Sequence, residues 1–89
     1  MKDRIENFIK NNNIDLAGTG SDFNGQACVL CGYALYIGID DYSELYSILY
    51  DLKTWVSSSN TLETLFIYSK KKNYAKWWEK EINRLKYNL

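Results

Sequence analysis

Two cysteines, Cys28 and Cys31, have the CxxC spacing that can support redox chemistry. Such a pair is reactive when it is exposed at the N-terminus of a helix that follows a strand, where the thiolate is stabilised. Here the pair lies in an apolar stretch with no cation nearby in the sequence. We interpret both as structural thiols, with a redox role or a shared metal as alternatives. Zinc normally takes four ligands, and two cysteines without a histidine leave such a site incomplete, so no metal or cofactor is predicted.

A polar, glycine-rich segment at residues 18–25 precedes this apolar stretch. Such a segment can present backbone N–H groups to an anion at the start of a helix. It lacks the GK[ST] ending of a P-loop and the regularly spaced acidic ligands of an EF-hand. The favoured interpretation is a tight turn capped by Ser21 or Asp22, and anion binding is the alternative.

The sequence offers little for catalysis. With no histidine in the chain, neither a Ser-His nor a Cys-His pair can form. Asp40, Asp41 and Glu44 could bring carboxylates together, but helix capping accounts for Asp41 and Glu44. The chain is therefore expected not to be an enzyme.

Basic side chains recur near the C-terminus at intervals of four residues, with aromatic side chains on the same side of a helix. Cations interleaved with aromatic rings suit phosphate contact and base stacking. The alternative is a solvated face whose lysines interact favourably with the helix dipole. The side chains predicted to bind nucleic acid or another anionic partner are Lys72, Lys76, Trp77, Lys80 and Arg84.

A stripe of tyrosines, formed by Tyr42, Tyr46 and Tyr50, runs along a second predicted helix. Tyrosine is enriched at protein interfaces because it offers apolar area together with a polar tip. The stripe is predicted to bind a partner protein. The alternative is the half-buried edge of a small core.

Helical periodicity runs through most of the chain, which contains no proline to interrupt it. Apolar residues recur at helical spacing over residues 3–12 and 41–56. Asp41 is a suitable N-cap for the second of these helices, with Glu44 three residues on, and Val56 is the last apolar residue of its stripe. A chain of 89 residues has the size of one domain, so a single domain over residues 1–89 is predicted.

The C-terminal third is predicted to form two helices rather than one. Asn60, with Glu63 three residues on, is a suitable cap for the first of them. The apolar faces on either side of the lysine run point in nearly opposite directions, so a break is expected between Lys70 and Tyr74. The last helix is predicted to bury Ala75, Trp78, Ile82, Leu85 and Leu89.

Residues 22–37 are the ambiguous segment. As a helix they are apolar on nearly every side, which indicates a buried central helix with Ala27, Leu30 and Ala34 on its inner face. As strands they could form a hairpin bent at Gly32. Helix is favoured by length and by the alanines and leucines. The predicted fold is therefore mainly α, a single compact domain of four to five short helices, with α+β as the alternative.

Charge is distributed unevenly along this neutral chain. Residues 11–69 hold seven acidic residues and one lysine, whereas residues 70–89 hold six lysines and one arginine against two glutamates. The basic segment can dock onto a partner or fold back onto the acidic one. The N-terminus lacks the apolar run of a signal peptide, and the longest uncharged stretch, residues 23–39, is too short for a membrane span. A cytoplasmic location with no membrane contact is expected.

These observations predict a non-enzymatic protein that binds a larger protein or ribonucleoprotein as a stoichiometric inhibitor or adaptor. A nucleic-acid-binding protein that uses the basic C-terminal helix is the alternative. Small, histidine-free single domains of this composition are a common profile among phage proteins that block host defences, such as anti-CRISPR proteins. This is a shared profile and does not indicate membership of a family.

Overall fold

Five α-helices account for most of the residues that the computed structural model describes, which are 1–14, 20–52 and 58–87; of residues 20–23 the backbone alone is described. The helices are α1 (Lys2–Asn11), α2 (Gly20–Tyr36), α3 (Tyr42–Asp51), α4 (Ser59–Lys71) and α5 (Tyr74–Tyr87). No strand occurs among the described residues. The predicted mainly α single domain is therefore confirmed, and the hairpin alternative for residues 22–37 is wrong.

The central element is α2, which packs most extensively against α4 and α5 and also contacts α1. Its side chains Ala27, Leu30, Cys31 and Ala34 are buried, as the all-round apolar pattern predicts. A helix can be apolar on every side only if neighbours cover it, and here three helices do so. The remaining helix, α3, packs against α4.

Gly32 lets α5 approach α2 closely. A Cβ atom at this position would lie 2.5 Å from the Cβ atom of Tyr74 and 3.3 Å from the indole ring of Trp78. The missing side chain therefore sets the distance between the two helices.

Aromatic rings fill the space between α1, α2 and α5. The rings of Phe8 and Tyr33 are stacked, with their centroids 4.0 Å apart. Trp78 packs edge-on against both, at 4.9 Å from Phe8 and 5.6 Å from Tyr33. Its indole N–H donates a hydrogen bond of 3.3 Å to the carbonyl oxygen of Val29. This cluster connects the first and last helices through the central one.

The helix ends agree with the predictions at some positions and correct them at others. The Asp41 side chain caps α3 by accepting a hydrogen bond from the Ser43 N–H, as predicted. However, α3 ends at Asp51 rather than at residue 56, and Leu52 is its C-cap. An acidic residue in the last turn, here Asp51, is unfavourable for the helix dipole. The predicted stretch 53–57, which includes Val56, lies outside the described residues.

The N-cap of α4 is Ser58 and not Asn60 as predicted. The Ser58 hydroxyl accepts a hydrogen bond from the Thr61 N–H at 3.1 Å and bonds the Thr61 hydroxyl at 2.8 Å. Serine caps a helix as well as asparagine does. Asn60 lies within the first turn of α4, where its carbonyl accepts a hydrogen bond from the Thr64 hydroxyl.

The predicted break before α5 is confirmed. After α4 ends at Lys71, Asn73 adopts a left-handed conformation with φ of 59°, which asparagine tolerates better than most residues. The turn reverses the apolar face between the two helices.

The prediction that α5 buries its apolar side chains is wrong, because these side chains are less buried than predicted. Ala75, Trp78 and Ile82 are half-buried, and Leu85 is 56% exposed. The ring and hydrogen-bond contacts with α2 come from Trp78, in the first half of α5, so the last turn extends past the core. Leu89 lies outside the described residues. Among the helices described, none is long and apolar enough to cross a lipid bilayer.

Candidate docking surface

The tyrosine stripe on α3 is divided between the core and the surface. Tyr42 and Tyr46 are half-buried, pack against the core, and have ring centroids 6.1 Å apart. The Tyr42 hydroxyl donates a hydrogen bond to the backbone carbonyl of Ser59, at the start of α4. Tyr50 is 70% exposed. Thus Tyr42 and Tyr46 hold α3 against its neighbours, and Tyr50 is the member of the stripe that is free to meet a partner.

Four members of the predicted basic site lie on α5, but Lys72 does not. Lys72 is the C-cap of α4, and its Nζ atom lies 5.6 Å from the centre of the Tyr68 ring. Lys76, Lys80 and Arg84 follow one another at intervals of four residues on α5, and all three are exposed. The expected continuous row of four cations is therefore interrupted at the turn before α5.

Arg84 is partly neutralised by its own helix. Its guanidinium donates two hydrogen bonds of 3.0 Å to the carboxylate of Glu81. These bonds hold the pKa of Glu81 below its ordinary value and raise the pKa of Arg84. An incoming anion would have to compete with Glu81 for Arg84.

The basic segment folds back onto the acidic part of the chain at one described ion pair. Lys70 lies 2.9 Å from a carboxylate oxygen of Asp40 and donates a second bond to the Asp40 carbonyl. Within the described ranges, no carboxylate lies at ion-pair distance from Lys72, Lys76 or Lys80. These three lysines thus remain available to an external anion.

A surface groove lies where the turn before α5 meets α2. It has a volume of about 410 Å³ and is lined by Val29, Lys72, Tyr74 and Trp77. Tyr68 extends one side, with its ring centroid 6.3 Å from that of Tyr74. Trp77, on the other side, is 49% exposed. The groove thus combines apolar walls with one cation.

Two of the groove residues, Lys72 and Trp77, were predicted from the sequence to bind a partner, whereas Val29 and Tyr74 were not. Val29, Tyr68 and Tyr74 come from three helices, so no single periodicity relates them. Burial raises the pKa of Tyr74, and the nearby Tyr68 hydroxyl raises it further. The signal in the sequence that could have indicated the groove is the pair of tyrosines, Tyr68 and Tyr74, on either side of the lysine run.

Lys76 faces a different groove, between the turn after α2 and the turn before α5. This groove has a volume of about 510 Å³, and the ion pair between Lys70 and Asp40 lies at its edge. The structure therefore separates Lys76 from the groove of Lys72 and Trp77. Residues of the predicted basic site therefore line two separate grooves, with Lys72 and Trp77 at one and Lys76 at the other.

The cysteines behave as structural thiols in their surroundings. Cys31 is buried and Cys28 half-buried, and both are free thiols. Burial raises the pKa of Cys31 to about 12, with a smaller contribution from the nearby Cys28, and burial also raises the pKa of Cys28. A raised pKa suppresses the thiolate, which is the nucleophilic form.

Cys31 should make stability depend on pH. The folded chain keeps this thiol protonated up to about pH 12, whereas an unfolded thiol titrates near pH ~8.5. Since the unfolded chain loses a proton that the folded chain keeps, the free energy of unfolding falls as pH rises between these values, by at most about 1.4 kcal/mol per pH unit. Urea unfolding across this window measures the decrease. The Cys31→Ala variant should show a shallower decrease, and an unchanged slope in that variant would contradict the assignment.

The glycine-rich segment is described in part. Residues 15–19 lie outside the described residues, and α2 begins at Gly20. Ser21 and Asp22 therefore lie within the first turn and not at the predicted cap position. Across the described ranges, no group of three cysteine or carboxylate side chains is arranged to hold a metal ion.

The helices define a small helical domain whose surface exposes aromatic and basic side chains. No protein-family model matches the chain, and no match is found among curated proteins or solved structures.

Proposed function

We propose that this chain is a non-enzymatic protein that binds a larger protein, or a ribonucleoprotein, as a stoichiometric inhibitor or adaptor. The observation that carries the proposal is the exposure of aromatic side chains on three helices. Tyr50 is 70% exposed, Tyr68 43% and Trp77 49%. Tyrosine and tryptophan dominate the binding energy of protein interfaces, because they bury large apolar areas and lose little conformational freedom.

The type of partner follows from the same surface together with the sequence. The chain has no histidine, so the usual general base of nucleophilic catalysis is missing. The polarity of the chain, with an acidic middle and a basic C-terminal segment, favours oriented docking on a charged partner. A phage-encoded protein of the anti-CRISPR type, which acts in the host cytoplasm, has this profile.

Nucleic acid is the second candidate partner. Lys76 and Lys80 lie without a described carboxylate partner on the outward side of α5, and Trp77 is exposed beside them. Such a surface can contact phosphates and stack a base.

Affinity capture distinguishes the two candidates. The tagged chain is expected to recover one protein in near-equal amount from a lysate of the organism that encodes it or of its host, with or without nuclease. Trp77→Ala should weaken this recovery strongly, since truncating a central aromatic side chain costs on the order of 2 kcal/mol, which is about 30-fold in affinity. Mass spectrometry and titration calorimetry provide the two measurements.

The matched control is Tyr87→Ala, which removes an aromatic side chain that is 87% exposed at the end of the same helix. It should leave recovery unchanged. If recovery collapses with nuclease or moderate salt, the nucleic-acid candidate replaces the protein-binding one. If no stoichiometric partner of either kind is recovered, the proposed function is wrong.

A further inference from the structure

The groove of Val29, Lys72, Tyr74 and Trp77 is a built feature, because its walls are fixed to the core. Tyr74 is placed by the close contact of its Cβ atom with Gly32. Trp77 packs edge-on against Trp78, with ring centroids 4.8 Å apart. A ligand entering here therefore meets side chains that are already ordered, and little conformational entropy is lost on binding.

The cation at the rim is also positioned. The ring of Tyr68 holds the Lys72 ammonium by a cation–π contact of 5.6 Å, on the same side as Tyr74. The adjacent Lys71 is exposed, and the part of the chain that the structure describes places no carboxylate at ion-pair distance from Lys72. The rim is thus positively charged, whereas the walls are apolar.

We propose that this groove binds a short acidic segment of a partner protein, which inserts one apolar side chain between Tyr74 and Trp77 and pairs a neighbouring carboxylate with Lys72. The volume of about 410 Å³ is within the range of ligand sites and accommodates an apolar side chain together with the adjoining peptide backbone. Charge complementarity selects the acidic neighbour. The inference rests on the proposed protein-binding function and specifies the chemistry of the partner.

The surroundings of the groove favour a peptide over a nucleic acid. Single-stranded nucleic acid is bound by successive stacking platforms along a basic track. The next exposed ring on α5 is Tyr87, ten residues after Trp77, which is about 15 Å along the helix axis. Of the cations between them, Arg84 is bonded to Glu81, whereas Lys80 has no carboxylate at ion-pair distance among the described residues. A groove with one cation at its rim matches one apolar side chain and one carboxylate.

Titration of the isotope-labelled full chain with a synthetic peptide tests the inference. The probe is an acetylated, amidated peptide with one phenylalanine flanked by two aspartates on each side. Saturable NMR shifts are expected at Val29, Lys72, Tyr74 and the Trp77 indole, with a dissociation constant in the millimolar range or tighter. Lys72→Glu and Trp77→Ala should each weaken binding about tenfold or more.

The controls separate this site from general charge attraction. Lys86→Ala and Tyr87→Ala remove a cation and a ring at the far end of α5 and should leave binding unchanged. Peptides with glycine in place of phenylalanine, or lysines in place of the aspartates, should bind far more weakly. Circular dichroism verifies that each variant is folded.

Four results would overturn the inference. Shifts that do not saturate or that spread over all the lysines would indicate no site. Tighter binding of a thymidine octanucleotide to the same residues would assign the groove to nucleic acid, and shifts that depend on protein concentration alone would assign it to a second copy of the chain. Capture of a protein partner that Trp77→Ala does not release would refute the groove and leave the proposed function standing.

Discussion

Gly32→Ala is expected to lower the free energy of unfolding by about 1–3 kcal/mol, although alanine is the better helix former by about 1 kcal/mol. The added methyl group would lie 2.5 Å from the Cβ atom of Tyr74. A Cβ atom cannot move aside by rotation, as the end of a long side chain could, so α5 must shift away from α2. Urea denaturation followed by circular dichroism measures the change.

Gly25→Ala is the matched control, because Gly25 lies in the same helix and a Cβ atom there would meet nothing within 4 Å. This variant should be as stable as the natural chain or more stable by up to about 1 kcal/mol, since the helix gains a better helix former. If Gly32→Ala also stabilised the chain, the contact between α2 and α5 would be less close than described.

The same substitution should affect binding as well. Tyr74 and Trp77 line the groove, and both are carried by the first turn of α5. A shift of α5 away from Gly32 would move them relative to Val29, which belongs to α2. Gly32→Ala is therefore expected to weaken the peptide binding described above even under conditions in which the variant remains folded.

Trp78→Ala is expected to be the most destabilising single change, with a loss of about 3–5 kcal/mol. Trp78 contacts Phe8 of α1 and Tyr33 of α2, and its indole N–H bonds the Val29 carbonyl. Its removal leaves a cavity where three helices meet. The total free energy of unfolding of a domain of this size is roughly 5–15 kcal/mol. The variant should therefore unfold at much lower urea concentration and lose near-ultraviolet circular dichroism.

The neighbouring Trp77 supplies the control for this prediction. Trp77 is 49% exposed, so Trp77→Ala should leave stability nearly unchanged and weaken partner binding instead. Trp78→Phe keeps the ring packing and removes the N–H donor, and it should cost about 1 kcal/mol. Equal losses of stability at positions 77 and 78 would contradict the assignment of one tryptophan to the core and the other to the surface.

Local sequence patterns determined the number and type of the helices. The cap at Asp41, the apolar stripes and the reversal of the apolar face across the lysine run all depend on residues within a few positions of each other. Such signals act before any tertiary contact exists. For that reason four to five helices and the break before Tyr74 were predictable. Residues 22–37 stayed ambiguous between a central helix, which their apolar character on every side favours, and a hairpin.

Helix ends were less predictable, because several residues compete to cap. Ser58 and Asn60 are both good caps, and the choice of Ser58 depends on its bonds to Thr61. The extent of burial along α5 also depends on where the core ends. Leu85 fits the apolar stripe, yet its side chain is 56% exposed.

Tertiary structure alone decided which surface residues come together. The groove joins Val29 of α2 with Lys72 of the turn and Trp77 of α5, and it exists because Gly32 permits close packing and Asn73 turns the chain. Tertiary packing also divided the tyrosine stripe between core and solvent. A repeat in sequence specifies one face of one helix, whereas a binding site depends on how the faces of several helices are placed relative to one another.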